Sequence, residues 1–202
     1  MAQPSERRLR ILQTLAAMLE APVAEKITTA GLAARLELSE AALYRHFASK
    51  AQMYEGLIEF IEQTLFGLIN RITGEETQGL AQARAMAQML LAFAERNRGM
   101  TRVLTGEVLV HENDRLQARV NQMLDRVEAS LRQSLRIAAS QHDLPEAADT
   151  AALANLCLAW VQGRWQQFVK SGFRRSPLDQ WEAQWAVLSR VPGSGAPASS
   201  DR

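Results

Sequence analysis

Residues 28–47 read TTAGLAARLELSEAALYRHF. Two short runs with helical spacing meet there at a tight turn. Thr28 or Thr29 suits the start of the first run and Ser39 the start of the second, because a hydroxyl at that position accepts a backbone N–H that has no partner within the helix. Leu32, Leu36 and Leu38 fall where they can face Leu43 and Phe47. This spacing predicts a helix-turn-helix, although any tight helical hairpin shares it. Glu37 stands in the turn, where glycine is common. A left-handed non-glycine residue there costs about 1 kcal/mol.

If the pair is a DNA reader, the second helix enters the major groove and the first braces it from behind. The small side chains of Ala41 and Ala42 let the helix start approach base edges, and Ser39 caps it. Tyr44, His46 and Lys50 then lie where phosphates run. Thr28 and Thr29 offer backbone N–H groups to another phosphate. The charge balance permits this without demanding it. The whole chain carries 23 basic and 22 acidic residues, but residues 1–50 are net +2.

Outward from this stretch the chain of 202 residues reads as helix throughout. Its 32 alanines and 26 leucines outweigh 10 valines, 7 isoleucines and 9 threonines, a balance that favours helix over sheet. A first helix is predicted from about 5 to 19, followed by a break near Pro22. Ser49 caps a long helix carrying Met53, Leu57, Ile61 and Leu65. Further helices are predicted over 79–96, 100–111, 113–139 and 145–171, with a last one from Pro177, about nine in all. Gly99 is expected as a left-handed cap, and Pro145 in a first helical turn. The expected organisation is a DNA-binding unit over 1–50, a helical dimerisation and partner-binding unit over 51–191, and a disordered tail over 192–202.

The helices at 145–171 and 177–190 are apolar over a wide arc. Either they lie centrally in one core or they meet a second copy of the chain, and isologous dimers are common enough to favour the second. Trp160, Trp165 and Phe168 could line a ligand pocket or form the dimer seam. The seam is favoured because tryptophan is enriched at interfaces.

Little points to catalysis. His46, His111 and His142 are scattered, and no metalloprotease, paired-carboxylate or nucleophile-elbow pattern occurs. Cys157, between Leu156 and Leu158, reads as a small buried hydrophobe. A single cysteine excludes an internal disulfide and fits a reducing compartment. No apolar run is long enough to span a membrane, and the first ten residues lack a signal-peptide core. No metal, no cofactor and no enzymatic activity are expected.

The segment ITTAGLAARLELSEAALYRHFASK resembles the DNA-binding head of the TetR family. The runs SEAALYRHF, LIEFIEQ, ERNRGMTRVLTG and DRLQARVNQ extend that resemblance over roughly residues 5–190, specifically to the nucleoid occlusion factors within the family. The resemblance implies an all-helical homodimer that binds palindromic double-stranded DNA sites, resides in the cytoplasm on the nucleoid, and antagonises the division protein FtsZ. It assigns DNA contact to Thr28, Tyr44, His46 and Lys50, and FtsZ contact to Phe60, Arg96 and Asn97. Leu68 and Ala92 depart from the pattern, where relatives carry arginine and glycine. From the residues alone Phe60 reads more readily as core, and Arg96 as a solvated cation at a helix end. Most TetR-like proteins are ligand-responsive repressors, which is the alternative function.

Overall fold

The computed structural model describes residues 6–21, 27–110 and 112–190. Among these, nine helices follow one another: α1 (Glu6–Met18), α2 (Thr29–Arg35), α3 (Glu40–Tyr44), α4 (Lys50–Glu75), α5 (Gly79–Arg96), α6 (Arg98–Leu104), α7 (Asp114–Ser140), α8 (Thr150–Lys170) and α9 (Trp181–Leu188). No described residue is in a strand. The break expected at Pro22, the residue His111 and the tail over 192–202 lie outside the described residues, as does Ser5.

The helix starts follow side-chain chemistry. Thr28 Oγ1 accepts the Gly31 N–H, Ser39 Oγ that of Ala42, Ser49 Oγ that of Gln52, and Asn113 Oδ1 that of Arg115. Each such cap is worth about 1 kcal/mol. The turn after α2 is a left-handed C-terminal motif. Glu37 sits at φ 57°, and the Leu38 N–H reaches back to the Ala33 carbonyl at 2.9 Å. The tight turn expected at Glu37 is thus observed, with glutamate bearing the strain.

Four boundaries differ from expectation. The second helix of the hairpin stops at Tyr44 rather than Phe47, although the Phe47 N–H still bonds the Leu43 carbonyl. The helix predicted over 100–111 is α6, Arg98–Leu104. The next helix to shift is α8, which starts at Thr150 and not near Pro145, because the Asp149 carboxylate accepts the N–H groups of both Ala151 and Ala152. The last helix begins at Trp181, after Gln180 at φ 58°, and not at Pro177.

Gly99 is not a left-handed cap either. Asn97 makes the break by itself, closing α5 and opening α6 at φ −128°, ψ 62°. Gly99 is buried inside α6, where a Cβ would stand 2.0 Å from the Ala16 carbonyl oxygen. Only glycine lets α6 lie this close to the end of α1. At the other end of α5, a Cβ on Gly79 would meet the Ala138 nitrogen at 2.2 Å. The start of α5 is therefore pressed onto the backbone of α7.

The body is α5, α7 and α8 packed together, with α4 laid against α5 and α7. Leu57, Ile61, Leu65, Leu90, Val120, Val127 and Leu131 are fully buried in its core. The head, α1 to α3, joins the body through α1, which packs on α4 and α6. Arg102, almost fully buried in α6, reinforces that seam by donating to the Ala21 carbonyl at 2.7 Å.

Of the three residues expected at a seam, Trp165 and Phe168 are buried within the chain and Trp160 is half-buried. Trp165 is fully buried and donates its indole N–H to the Leu90 carbonyl at 3.1 Å. Phe168 is buried against Val169 and Phe173. Trp160 is half-buried and donates to Gln184. Cys157 is buried, as its neighbours suggested, and desolvation pushes its thiol pKa up to about 12. The open faces of α8 and α9 carry mainly small residues instead: Ala152, Ala159, Gly163 and Ala183, with Leu156 and Val187 standing out at 52% and 68% exposed.

Candidate nucleic-acid and partner surfaces

The hairpin of α2 and α3 buries Leu32, Leu36, Leu43 and Phe47 and half-buries Leu38. Burying the apolar side of so short a helix leaves its other side in solvent. Ser39, Glu40, Ala41, Tyr44 and Arg45 are exposed there, Tyr44 at 43%. Thr28 is exposed at the start of α2. A hydrogen-bond chain ties the two helices together. The Thr29 hydroxyl donates to Glu40 Oε2 at 2.7 Å, and the Tyr44 hydroxyl lies 3.5 Å from Thr29 Oγ1. Thr29 and Tyr44 are thus brought together, and the tyrosine ring is held at the open end of α3.

His46 and Lys50 are held differently. His46 is half-buried, and its carbonyl accepts from Arg8 Nη1 at 2.9 Å. The Arg8 guanidinium also covers the Phe47 ring, 4.3 Å from its centroid. Lys50 does not project freely from the head. Its ammonium is paired with the Glu112 carboxylate, from the segment between α6 and α7, and lies 5.7 Å from the Tyr54 ring centroid. Tyr54 is buried beneath. Desolvation, and then the nearby Glu112 charge, push its phenol well above the ordinary value.

The second candidate surface spans α4, the end of α5 and the α5–α6 break. Phe60 is half-buried, neither core nor fully open, and its carbonyl accepts from the Thr64 hydroxyl at 2.8 Å. Arg96 is exposed at the last position of α5. Asn97 is half-buried, and its Nδ2 donates to the Phe93 carbonyl at 2.8 Å, so this side chain braces the break between two helices. On the α4–α7 seam, Glu62 is paired with both Arg119 and Arg126, and Arg126 stacks 4.0 Å from the Phe66 centroid.

Comparison with known proteins covers both units. Residues 15–57 match the model of the TetR family of bacterial regulatory proteins, ending in the early turns of α4. Residues 77–191 match the SlmA-like, tetracycline-repressor-like C-terminal domain. The nucleoid occlusion factor SlmA of Idiomarina loihiensis is 50% identical over 188 residues, 93% of this chain and 96% of its own length. That of Vibrio vulnificus is 49% identical over 189 residues, with the same two coverages. The chain belongs to the SlmA family of nucleoid occlusion factors, within the TetR-type DNA-binding regulators.

Solved structures agree on the fold. The fatty acid degradation regulator FadR of Bacillus halodurans superposes with a TM-score of 0.78 at 12% identity, over 95% of this chain and 98% of its own. A TetR regulator of Haloarcula marismortui gives 0.77 at 14%, over 92% and 97%. At these identities the likeness speaks for the helical architecture and nothing finer. The families matched are those of DNA-binding regulators.

The two positions that depart from the SlmA pattern, Leu68 and Ala92, are both half-buried, on α4 and α5. Sequence reasoning missed Arg8 and Glu112. Arg8 was visible only as one cation in a basic first helix. Glu112 lies 62 residues from Lys50, and nothing local marks it as a partner.

The cavities bear on ligand control. One apolar cavity, among Leu80, Leu135, Leu144, Cys157 and Trp185, measures about 20 Å³, room for roughly one water. Two larger clefts, about 320 and 400 Å³, open to solvent; Gln117, Asn121 and Gln166 line the first, and Asn70, Ser130 and Gln133 line the second together with Ile69 and Ile137.

Proposed function

We propose that the chain is a DNA-tethered division inhibitor. It binds palindromic duplex sites as a homodimer and, from there, antagonises FtsZ polymers over the nucleoid in the cytoplasm. Residues 1–50 act as the reading head, 51–191 as the dimerisation and partner body, and 192–202 as a tail. The observation that carries the proposal is the exposed side of α3, with Ala41 and Tyr44 open to solvent, in a chain that shares half its residues with SlmA proteins along nearly its whole length.

Two heads related by a dyad would read half-sites about one helical turn apart, roughly 34–36 Å. Thr28, Thr29, Ser39, Tyr44, His46 and Lys50 supply phosphate contacts around Ala41, and affinity falls with added salt as those contacts displace counterions. The body then holds Phe60, Arg96 and Asn97 at high local concentration on the chromosome. A half-buried aromatic on α4, with an arginine and an asparagine at the end of α5, suits an interface anchor.

A ligand-responsive repressor would need a largely enclosed, mostly apolar pocket of about 300 Å³ or more. The three cavities described above, one apolar cavity of about 20 Å³ and two clefts open to solvent, are not of that kind.

The test is capture of FtsZ by the wild-type chain and two variants, with and without a duplex selected from random sequence. Tyr44→Ala should lose the duplex, and Arg96→Glu should keep the duplex but lose FtsZ. Loss of both ligands by Arg96→Glu, together with a lowered melting temperature, would make the arginine structural and remove the partner surface from the proposal.

A further inference from the structure

We propose that Glu112 sets the affinity for DNA by occupying Lys50 as an internal substitute for a backbone phosphate. The inference rests on the reading of Lys50 as a DNA contact and goes beyond it.

Lys50 is the first residue of α4, and no acidic residue shares that first turn. A cation at a helix N-terminus opposes the helix dipole, so apart from the Tyr54 ring face Lys50 is favoured by an anion from outside its helix. In the structure that anion is the Glu112 carboxylate, which belongs to the body and not to the head. Both side chains are mostly covered, 24% and 17% exposed, so solvent screens the pair less than it would an open surface ion pair. The Tyr54 ring centroid lies 5.7 Å from the ammonium.

A carboxylate and a phosphodiester offer the same thing to an ammonium, an anionic oxygen that accepts N–H. They cannot share Lys50 cheaply, because Glu112 and the phosphate repel one another at that distance. Docking on a duplex therefore exchanges the Glu112 oxygen for a phosphate oxygen. The lost internal pair lowers the affinity, and the freed Glu112 leaves the segment between α6 and α7 without its tie to the start of α4.

Four chains test this: wild type, Lys50→Gln, Glu112→Gln and the double variant. Each is titrated against a palindromic duplex selected by the wild-type protein, by fluorescence anisotropy at one fixed salt concentration. Thermal melts show that each is folded, and Glu112→Ala stands in if Glu112→Gln does not fold. Lys50→Gln should bind more weakly. Glu112→Gln should bind roughly tenfold tighter, and that gain should vanish in the Lys50→Gln background, as expected for two directly coupled residues. An equal gain in both backgrounds would mean a general field effect and would overturn the proposal. So would an unchanged affinity on Glu112→Gln while Lys50→Gln still weakens binding, and that result would leave the DNA reading intact. Failure of the wild-type chain to select any duplex would overturn the DNA reading and this proposal with it.

Discussion

Glu37 holds the turn between α2 and α3 at φ 57° with a side chain that gains nothing from being there, since it is exposed. An L residue in this region crowds its Cβ against the carbonyl, at about 1 kcal/mol. Glu37→Gly removes that strain, and the two backbone bonds of the turn, Glu37 N–H to Ala34 and Leu38 N–H to Ala33, remain available. The variant should be more stable by about 1 kcal/mol, read as a higher denaturant midpoint at unchanged slope. An equal or lower midpoint would show that the turn is not strained. Single residues were legible where the chemistry is local. Ser39 and Ser49 were identifiable as caps, and Thr28 as one of two candidates beside Thr29, because each needs only an N–H three residues ahead. Lys50 was identified as a cation near the head, but its partner Glu112 could not be, because pairing over 62 residues is a product of the fold.

Elements were legible to the extent that one face of each is apolar. The stripe Leu116, Val120, Leu124, Val127, Leu131, Leu135 predicted α7 almost to its ends, and all six are buried. Boundaries failed where two residues competed for one role. Pro145 and Asp149 can each open a helix, and only the observed carboxylate contacts choose Asp149. Gly99 and Asn97 can each end α5. Asn97 does so, which frees Gly99 for a contact that no periodicity reveals, the approach of α6 to the Ala16 carbonyl. This makes α6 the spacer that sets where the head sits on the body. Gly99→Ala forces a methyl into a 2.0 Å gap against backbone that cannot rotate away. Overpacking of this kind costs about 1–3 kcal/mol. The expected outcome is a loss of stability in that range in chemical denaturation, together with weaker duplex binding as α1 is displaced. Full stability and full binding would mean that the head is free to shift along α6.

At the scale of the molecule, Trp165 and Phe168, two of the three residues expected at a dimer seam, are turned inward, and that changes what a second copy would meet. Trp165 satisfies its indole N–H within its own chain and is fully buried, so it has nothing left to offer a partner. Ala152, Leu156, Ala159 and Gly163 recur along the open side of α8, and Ala183 and Val187 stand on α9. Small residues let two helices approach closely, and Leu156 and Val187 supply apolar surface that water would otherwise cover. A dyad through this face would pair α8 and α9 with their symmetry copies and leave both heads free. The chain should therefore sediment at twice its 22.5 kDa at micromolar concentration. Leu156→Glu combined with Val187→Glu should shift it to the monomer, because each copy would then bury carboxylates against their own images. The same variant should keep its helical circular dichroism, as both positions are exposed in the single chain, while losing tight binding to a palindrome but not weak binding to a half-site. A wild-type monomer, or a double variant that still sediments as a dimer, would move the dyad elsewhere on the surface.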